Sequence, residues 1–309
     1  MSAPLHLRLF ENYRFVLYAP FYAAHAIGAY ADEGLEVELL PSPGPGKAEA
    51  ALLAGEADVL WMGPIRVMKH HDDHPDSPLT EFAEIVCRDP FSLVGAAASP
   101  QFGLAELGNM RFASTSEVPT PWLCLEQDLR DIGVDPGSLQ RITDRTMAEN
   151  VAALRANQID AAQLFEPFVE EALSGGAKIR YQASSRGPTS YTVFVALRER
   201  LAADPEPFRR MVRAIHRTQR WVAAEAPANL ATAIAGYFPD LDRGVVTRAV
   251  ARYTEQGVWA PDPVLREEGF ARLRRALLGS GFIEREVKFA ECVDNRLAQA
   301  AMAAPPAPD

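Results

Sequence analysis

Cysteine is scarce in this chain of 309 residues: Cys87, Cys124 and Cys292 lie far apart, and an odd number cannot complete a disulfide framework. Buried or reduced thiols are expected instead. No apolar run approaches the roughly 20 residues that a bilayer-crossing helix needs. The opening MSAPLHLRLF has neither the basic n-region nor the apolar h-region of a secretory signal. The expected location is therefore cytoplasmic if Met1 is the native start, and periplasmic if a signal has been removed. Positive charge is in deficit too. Lys plus Arg number 31 against 41 Asp plus Glu, a net −10, and such a field repels nucleic acid and anionic membrane surfaces while leaving room for one small anion in a local site. No nucleic-acid partner is expected. The patterns GxGxxG, GxxxxGKS/T, HExxH and CxxC are all missing, so nucleotide and cofactor chemistry find no support and no cofactor is expected.

What is present is an ordinary globular mixture, 48% hydrophobic and 23% charged, in a chain longer than the roughly 250 residues at which one core tends to split into two. LHLRLF (5–10) alternates with the period of a strand, and Pro20 to Gly34 reads as a helix with proline near its start and glycine at its stop. LEVELL (35–40) is a second strand, KAEAALLAG (47–55) a helix and ADVLWMG (57–63) a third strand. Strands joined by connections of helical length predict a mainly parallel, doubly wound sheet. The same grammar restarts with MRFAST (110–115), PWLCLEQDLRDIG (121–133), LQRIT (139–143), MAENVAALRANQ (147–158), AAQLF (161–165) and EPFVEEALSGG (166–176). A second α/β unit is thus inserted. AKIRYQAS and YTVFVAL lead back as strands, and from about residue 204 the pattern is helical to the C-terminus.

Open parallel sheets bind ligands beyond the carboxyl ends of their strands, where helix N-termini present free N–H groups. The residues just after each strand are Glu11-Asn12-Tyr13, Ser42 to Gly46, Trp61 with Gly63-Pro64, Ser114-Thr115-Ser116-Glu117, Thr143-Asp144 and Glu166-Pro167. Asn12 and Tyr13 suit a ligand or a simple turn. Gly44 and Gly46 suit an anion cradle or a plain loop. Ser114, Thr115 and Ser116 offer hydroxyls to an anion or cap the following helix. Glu166 suits a ligand N–H or the helix dipole, and Trp61 suits a pocket wall or core. The segment KHHDDHPD (69–76) carries His70, His71 and His74, the candidates for a metal, but in a position where solvated residues are expected anyway.

The residues Asn12-Tyr13, Ala19-Pro20-Phe21-Tyr22-Ala23-Ala24, Gly28, Glu33-Gly34-Leu35-Glu36-Val37, Gly55-Glu56-Ala57-Asp58-Val59, Gly63-Pro64, Leu154, Asp160-Ala161 and Glu166-Pro167 resemble the type 2 periplasmic binding proteins of ABC importers. The chain is most similar to the branch that holds thiamine-precursor, alkanesulfonate or taurine, and nitrate binding proteins, with the pyrimidine-precursor synthase of thiamine biosynthesis beside them. The resemblance implies a two-lobed clamshell, lobe one from 1–92 plus 196–309 and lobe two from 93–195, crossed near Leu93-Val94-Gly95 and near Tyr191-Val193. It implies a small polar or anionic ligand, aromatic in one version, held in the cleft of a monomer that meets a membrane permease. Trp61, Tyr13 and Phe21 would then stack on the ligand, with Tyr22, Gly63 and Tyr191 completing the set. Two departures stand against the enzymes of this scaffold. The cysteine-rich motif of the pyrimidine-precursor synthases has no match, and positions 10–40 hold none of the cysteine that desulfinases need. An enzyme on the same scaffold, a decarboxylase, lyase or precursor synthase, remains the alternative, as does a cytosolic ligand sensor.

Overall fold

The computed structural model of the protein describes residues 4–41, 47–95 and 102–303. Its frame is two five-stranded sheets. The first uses β1 (Leu5–Phe10), β2 (Leu35–Leu40), β3 (Val59–Met62), β4 (Leu79–Val86) and β10 (Thr192–Leu197), in the order β2-β1-β3-β10-β4. The second uses β5 (Ser92–Gly95), β6 (Phe112–Ala113), β7 (Arg141–Ile142), β8 (Ala161–Leu164) and β9 (Lys178–Gln182), in the order β7-β6-β8-β5-β9. Parallel pairing joins β1 to β2 and β3, and β6 to β7 and β8. In each sheet one strand runs against the rest, β10 in the first and β5 in the second. Those two strands are the ones that arrive from the other sheet, so each crossing of the chain ends in an antiparallel insertion. The divisions expected at 92/93 and 195/196 fall inside these strands: Ser92 belongs to the second sheet, and Thr192 to Val195 to the first.

Local chemistry explains most elements. β1 pairs with β2 along its whole length, Leu5 opposite Leu35 through Phe10 opposite Leu40, because both carry the same leucine-rich alternation. The helix expected between them is two, Ala19–Ala26 and Ala29–Asp32, since Gly28 takes φ +73, a left-handed value that breaks a helix and that glycine adopts at no steric cost. The helix Pro205–Ala224 turns Phe208, Met211, Val212, Ile215 and Val222 inward and packs on both of those helices and on Arg296–Ala303.

β4, which lacked a clear strand signal, is buried along its whole length. It is an edge strand, and the C-terminal region covers it: Val293 bridges Glu81, Trp259 bridges Val86, and the Glu84 N–H donates to the Pro263 carbonyl. That cover buries two carboxyls. Glu81 has neither oxygen partnered among the described residues. Burial, then the neighbouring Glu84, pushes Glu81 well above the usual carboxylate range, and burial lifts Glu84 to about 8.

Folding therefore takes up protons that the unfolded chain has already released. Between the unfolded value near 4.5 and about 8, the folded state binds more protons, so stability falls as pH rises. Each unit of difference is worth about 1.4 kcal/mol. Chemical denaturation should show the wild type losing stability relative to Glu84→Gln between about pH 5 and about 8; parallel pH profiles for the two proteins would contradict a buried, protonated Glu84.

Candidate functional site

Between the two sheets lies a cavity of about 140 Å³, close to the roughly 150 Å³ of an apolar cavity that takes benzene. Both halves of the chain build its wall. The first sheet and its loops supply Asn12, Tyr13, Phe15, Tyr18, Leu60, Met62, Gly63 and Arg66, while the crossings and the second half supply Phe91, Tyr191, Glu117, Thr120, Met147 and Phe165. Each position follows from an element's end. Asn12 to Tyr18 occupy the turn after β1, Gly63 to Arg66 the strand-to-helix junction after β3, and Phe165 the residue after β8.

Six of the lining residues are aromatic, Tyr13, Phe15, Tyr18, Phe91, Phe165 and Tyr191. Phe165 sits edge-on to Phe15 at 4.8 Å and stacks with Phe91 at 4.9 Å, so rings from both sheets meet in one seam. Tyr18 and Tyr191 stay protonated, since burial pushes both hydroxyls up, and the Tyr191 hydroxyl is buried with no partner among the described residues. Tyr13 is raised by burial, against the pull of Arg66 and with the push of Glu117. Burial also raises Glu49, a further wall residue, and Arg66 again opposes the shift. Glu117 accepts from the Met147 N–H and the Thr115 hydroxyl, both at 2.8 Å. Arg66, the one cationic residue of the lining among the described residues, is exposed and has no ion pair or side-chain hydrogen bond among them. An uncommitted guanidinium beside an aromatic slot can hold the anionic end of a ring-bearing molecule.

The expected site residues divide. Asn12, Tyr13, Gly63 and Tyr191 line the cavity. Gly44 and Gly46 lie outside the described residues. Trp61 is not a wall: it is fully buried, stacked on Phe21 at 4.3 Å and 14°, with Tyr22 edge-on at 5.7 Å. Phe21 and Tyr22, also fully buried, are core for the same reason. Side chains alternate across a strand, so Leu60 and Met62 reach the cavity while Trp61 points to the opposite face. Its link to the site is indirect, through Tyr18 at 5.7 Å.

Ser114, Thr115 and Ser116 do not line the cavity, because their neighbours use the cluster. The Ser114 hydroxyl lies 3.3 Å from an Arg141 donor and 3.4 Å from the Ile142 carbonyl, and Thr115 holds Glu117. Ser116 is exposed. Glu166 is withdrawn from the cavity by Arg252, with which it forms a buried ion pair. The histidines do not converge. His70 contacts the Ser77 hydroxyl at 2.7 Å, His71 the Leu79 carbonyl at 2.9 Å, and the His74 ring lies tilted against His70. No cluster of three metal-ligating side chains exists among the described residues. The thiols lie outside the cavity, and burial pushes Cys87 and Cys124 to about 12.

Arg66 escaped notice in the sequence although a signal existed. It stands in the first turn of the helix Pro64–Asp73, where a cation opposes the helix dipole and an acid would be favoured. A larger groove of about 670 Å³ runs between the helices Thr120–Asp131 and Glu267–Gly279. Its arginines are already committed, Arg186 to Asp128, Arg272 to Glu268 and Arg275 to Asp131, so the smaller cavity is the better ligand site.

Comparison with known proteins adds a family and a set of folds. Residues 17–229 match the family model described as NMT1/THI5 like. YtlA of Bacillus subtilis (strain 168) is 24% identical over 287 residues, spanning 92% of this chain and 86% of that protein. The periplasmic aliphatic sulphonate binding protein SsuA from Escherichia coli superposes with a TM-score of 0.74 at 17% identity, over 93% of this chain and 97% of its own. The ligand binding component of an ABC-type import system from Staphylococcus aureus, solved with zinc bound, gives 0.74 at 16% identity, over 97% and 99%. At these identities the likeness is one of fold, and it bears out the two-lobed α/β architecture.

Trp61→Phe separates core from wall. It should lower stability by about 1 to 3 kcal/mol, as loss of packed aromatic volume does, while leaving the affinity of any ligand that stabilises the wild type unchanged in a calorimetric titration. Unchanged stability with weakened binding would return Trp61 to the wall.

Proposed function

The chain belongs to the NMT1/THI5-like family, and from that premise we propose that it is a solute-binding protein which captures a small aromatic ligand between its two sheets for an ABC-type importer. The observation that carries this reading is the aromatic cavity walled by residues of both halves with an uncommitted Arg66 at its side. A binding protein must hold its solute and release it unchanged, which asks for complementary surfaces rather than for a nucleophile. The likeness to SsuA, an aliphatic sulphonate binding protein, and to the Staphylococcus aureus component of an ABC-type import system supports the same reading.

In this reading the sheets are the cores of two lobes, 1–92 with 196–309 and 93–195, adjusted at the strands that cross. The ring lies among Phe15, Phe91, Phe165 and Tyr191. A carboxylate or sulfonate faces Arg66, and a ring N–H or amine faces Glu117. Closing the lobes over the solute presents a shape that a membrane permease distinguishes from the empty one, and the place of action is then outside the cytoplasmic membrane.

A thermal-shift panel of aromatic carboxylates, aromatic sulfonates and pyrimidines tests the proposal. A ligand present at 100 times its Kd adds about 2.7 kcal/mol, read as a rise of roughly 4 °C in a chain of 309 residues. Arg66→Gln should weaken anionic members by roughly 10- to 100-fold, the worth of a charge-assisted hydrogen bond, and leave neutral ones unchanged. An anion that binds both proteins equally would remove Arg66 from the site.

A further inference from the structure

The helical C-terminal region reaches the second half where the helix Glu267–Gly279 packs on Thr120–Asp131, and again at the helix Arg243–Glu255. The helix Arg243–Glu255 packs on Pro227–Ile234 and on the Val16–Tyr18 turn, which places it with the first sheet. It also touches the helix Phe168–Ser174 that follows β8. At that contact Arg252 pairs with Glu166 and, at 2.5 Å, with Glu170. Arg248 meets the other oxygen of Glu170 at 2.5 Å, and the Tyr253 hydroxyl accepts from the Glu166 N–H at 3.0 Å. Glu166 is 1% and Glu170 7% exposed. Burial lifts Glu166, whereas the Arg248 and Arg252 hydrogen bonds outweigh burial at Glu170 and hold it below the usual carboxylate range.

We propose that Glu166, Glu170, Arg248 and Arg252 form an ionic latch that closes the rim of the cleft and sets how often the empty protein opens. The inference rests on the two-lobed reading above and is independent of which ligand the cavity takes. Two features favour a latch over a permanent seam. A buried ion cluster recovers in contact roughly what it loses in hydration, so it adds little net stability and can part and reform, whereas an apolar seam of the same size would stay shut. The latch is also wired to the cavity by one peptide bond: Phe165 lines the cavity and packs on Phe15 across the cleft, and Glu166 is the next residue. A molecule resting on Phe165 therefore meets a side chain whose backbone neighbour is held by Arg252.

Hydrogen exchange read by mass spectrometry on the ligand-free full chain tests this. The segments to follow are 12–18 and 115–120, on opposite walls of the cavity. Raising NaCl from about 0.02 to about 0.5 M cuts the screening length from roughly 20 to 4 Å and should speed their exchange about threefold, the sign of more frequent local opening. Glu170→Gln and Arg248→Gln should show that faster exchange already at low salt and respond no further. Arg155→Gln, which removes an exposed ion pair with Glu171 inside the second half, should behave as wild type. Arg252→Gln tests the centre of the cluster, and Arg248, whose side chain is 59% exposed, provides the variant that folds if that one does not. Exchange in the two segments that is indifferent to salt and equal in Glu170→Gln, Arg248→Gln and wild type would overturn the latch.

Discussion

The guanidinium of Arg186 ties together the two passages of the chain between the sheets, and the rest of the architecture is arranged around it. Asp89 lies on the first passage, between β4 and β5, and Arg186 on the second, between β9 and β10. They pair at 2.7 Å with side chains 0% and 7% exposed, and Asp128 binds the same guanidinium from the helix Thr120–Asp131. Asp89 also accepts from the Phe91 N–H at 2.9 Å, while Arg272 donates to the Arg186 carbonyl. An arginine this deep keeps its charge because two carboxylates surround it; removing one partner of a buried pair costs about 3 to 5 kcal/mol by leaving the other charge unpaired. Phe91 and Tyr191, both in the cavity wall, are thereby fixed at the crossing.

With the crossing fixed, freedom remains at the far rim, where Arg252 holds Glu166 and Glu170. One ion cluster is buried at the pivot and another, more exposed, at the edge, with the aromatic cavity between them. This division gives the two halves one direction in which to move. It also explains why the cavity wall draws on both sheets: rings contributed from each side lose contact together when the rim parts, so an occupant that touches both favours the closed arrangement.

Much of this frame was legible in the sequence. β1 and β2 were found to the residue because alternation over six positions is a strong signal, and the two-sheet grammar followed from strands separated by helical lengths. β4 was not found, since a strand buried on both faces carries no alternation and two of its residues are glutamates. The site was half legible. Listing the residues that follow each strand located Asn12, Tyr13 and Gly63, but strand ends have two faces, and only the packed structure shows that Trp61 turns to Phe21 while Leu60 and Met62 turn to the cavity. Ser114 and Thr115 failed for another reason: a hydroxyl suited to an anion is equally suited to its neighbours, and here Arg141 and Glu117 claim both. Glu166 was noticed for the right property, a carboxylate at a strand's end, and given the wrong partner, because Arg252 stands far along the chain.

A crystal structure of the protein with a molecule released from its own purified preparation examines the central proposition most directly. Density for that molecule among Phe15, Phe91, Phe165 and Tyr191, with its anionic end on Arg66 and the rim ions paired, is the result that capture between the sheets predicts. Density in the groove between the helices Thr120–Asp131 and Glu267–Gly279, with the aromatic cavity empty, would contradict it.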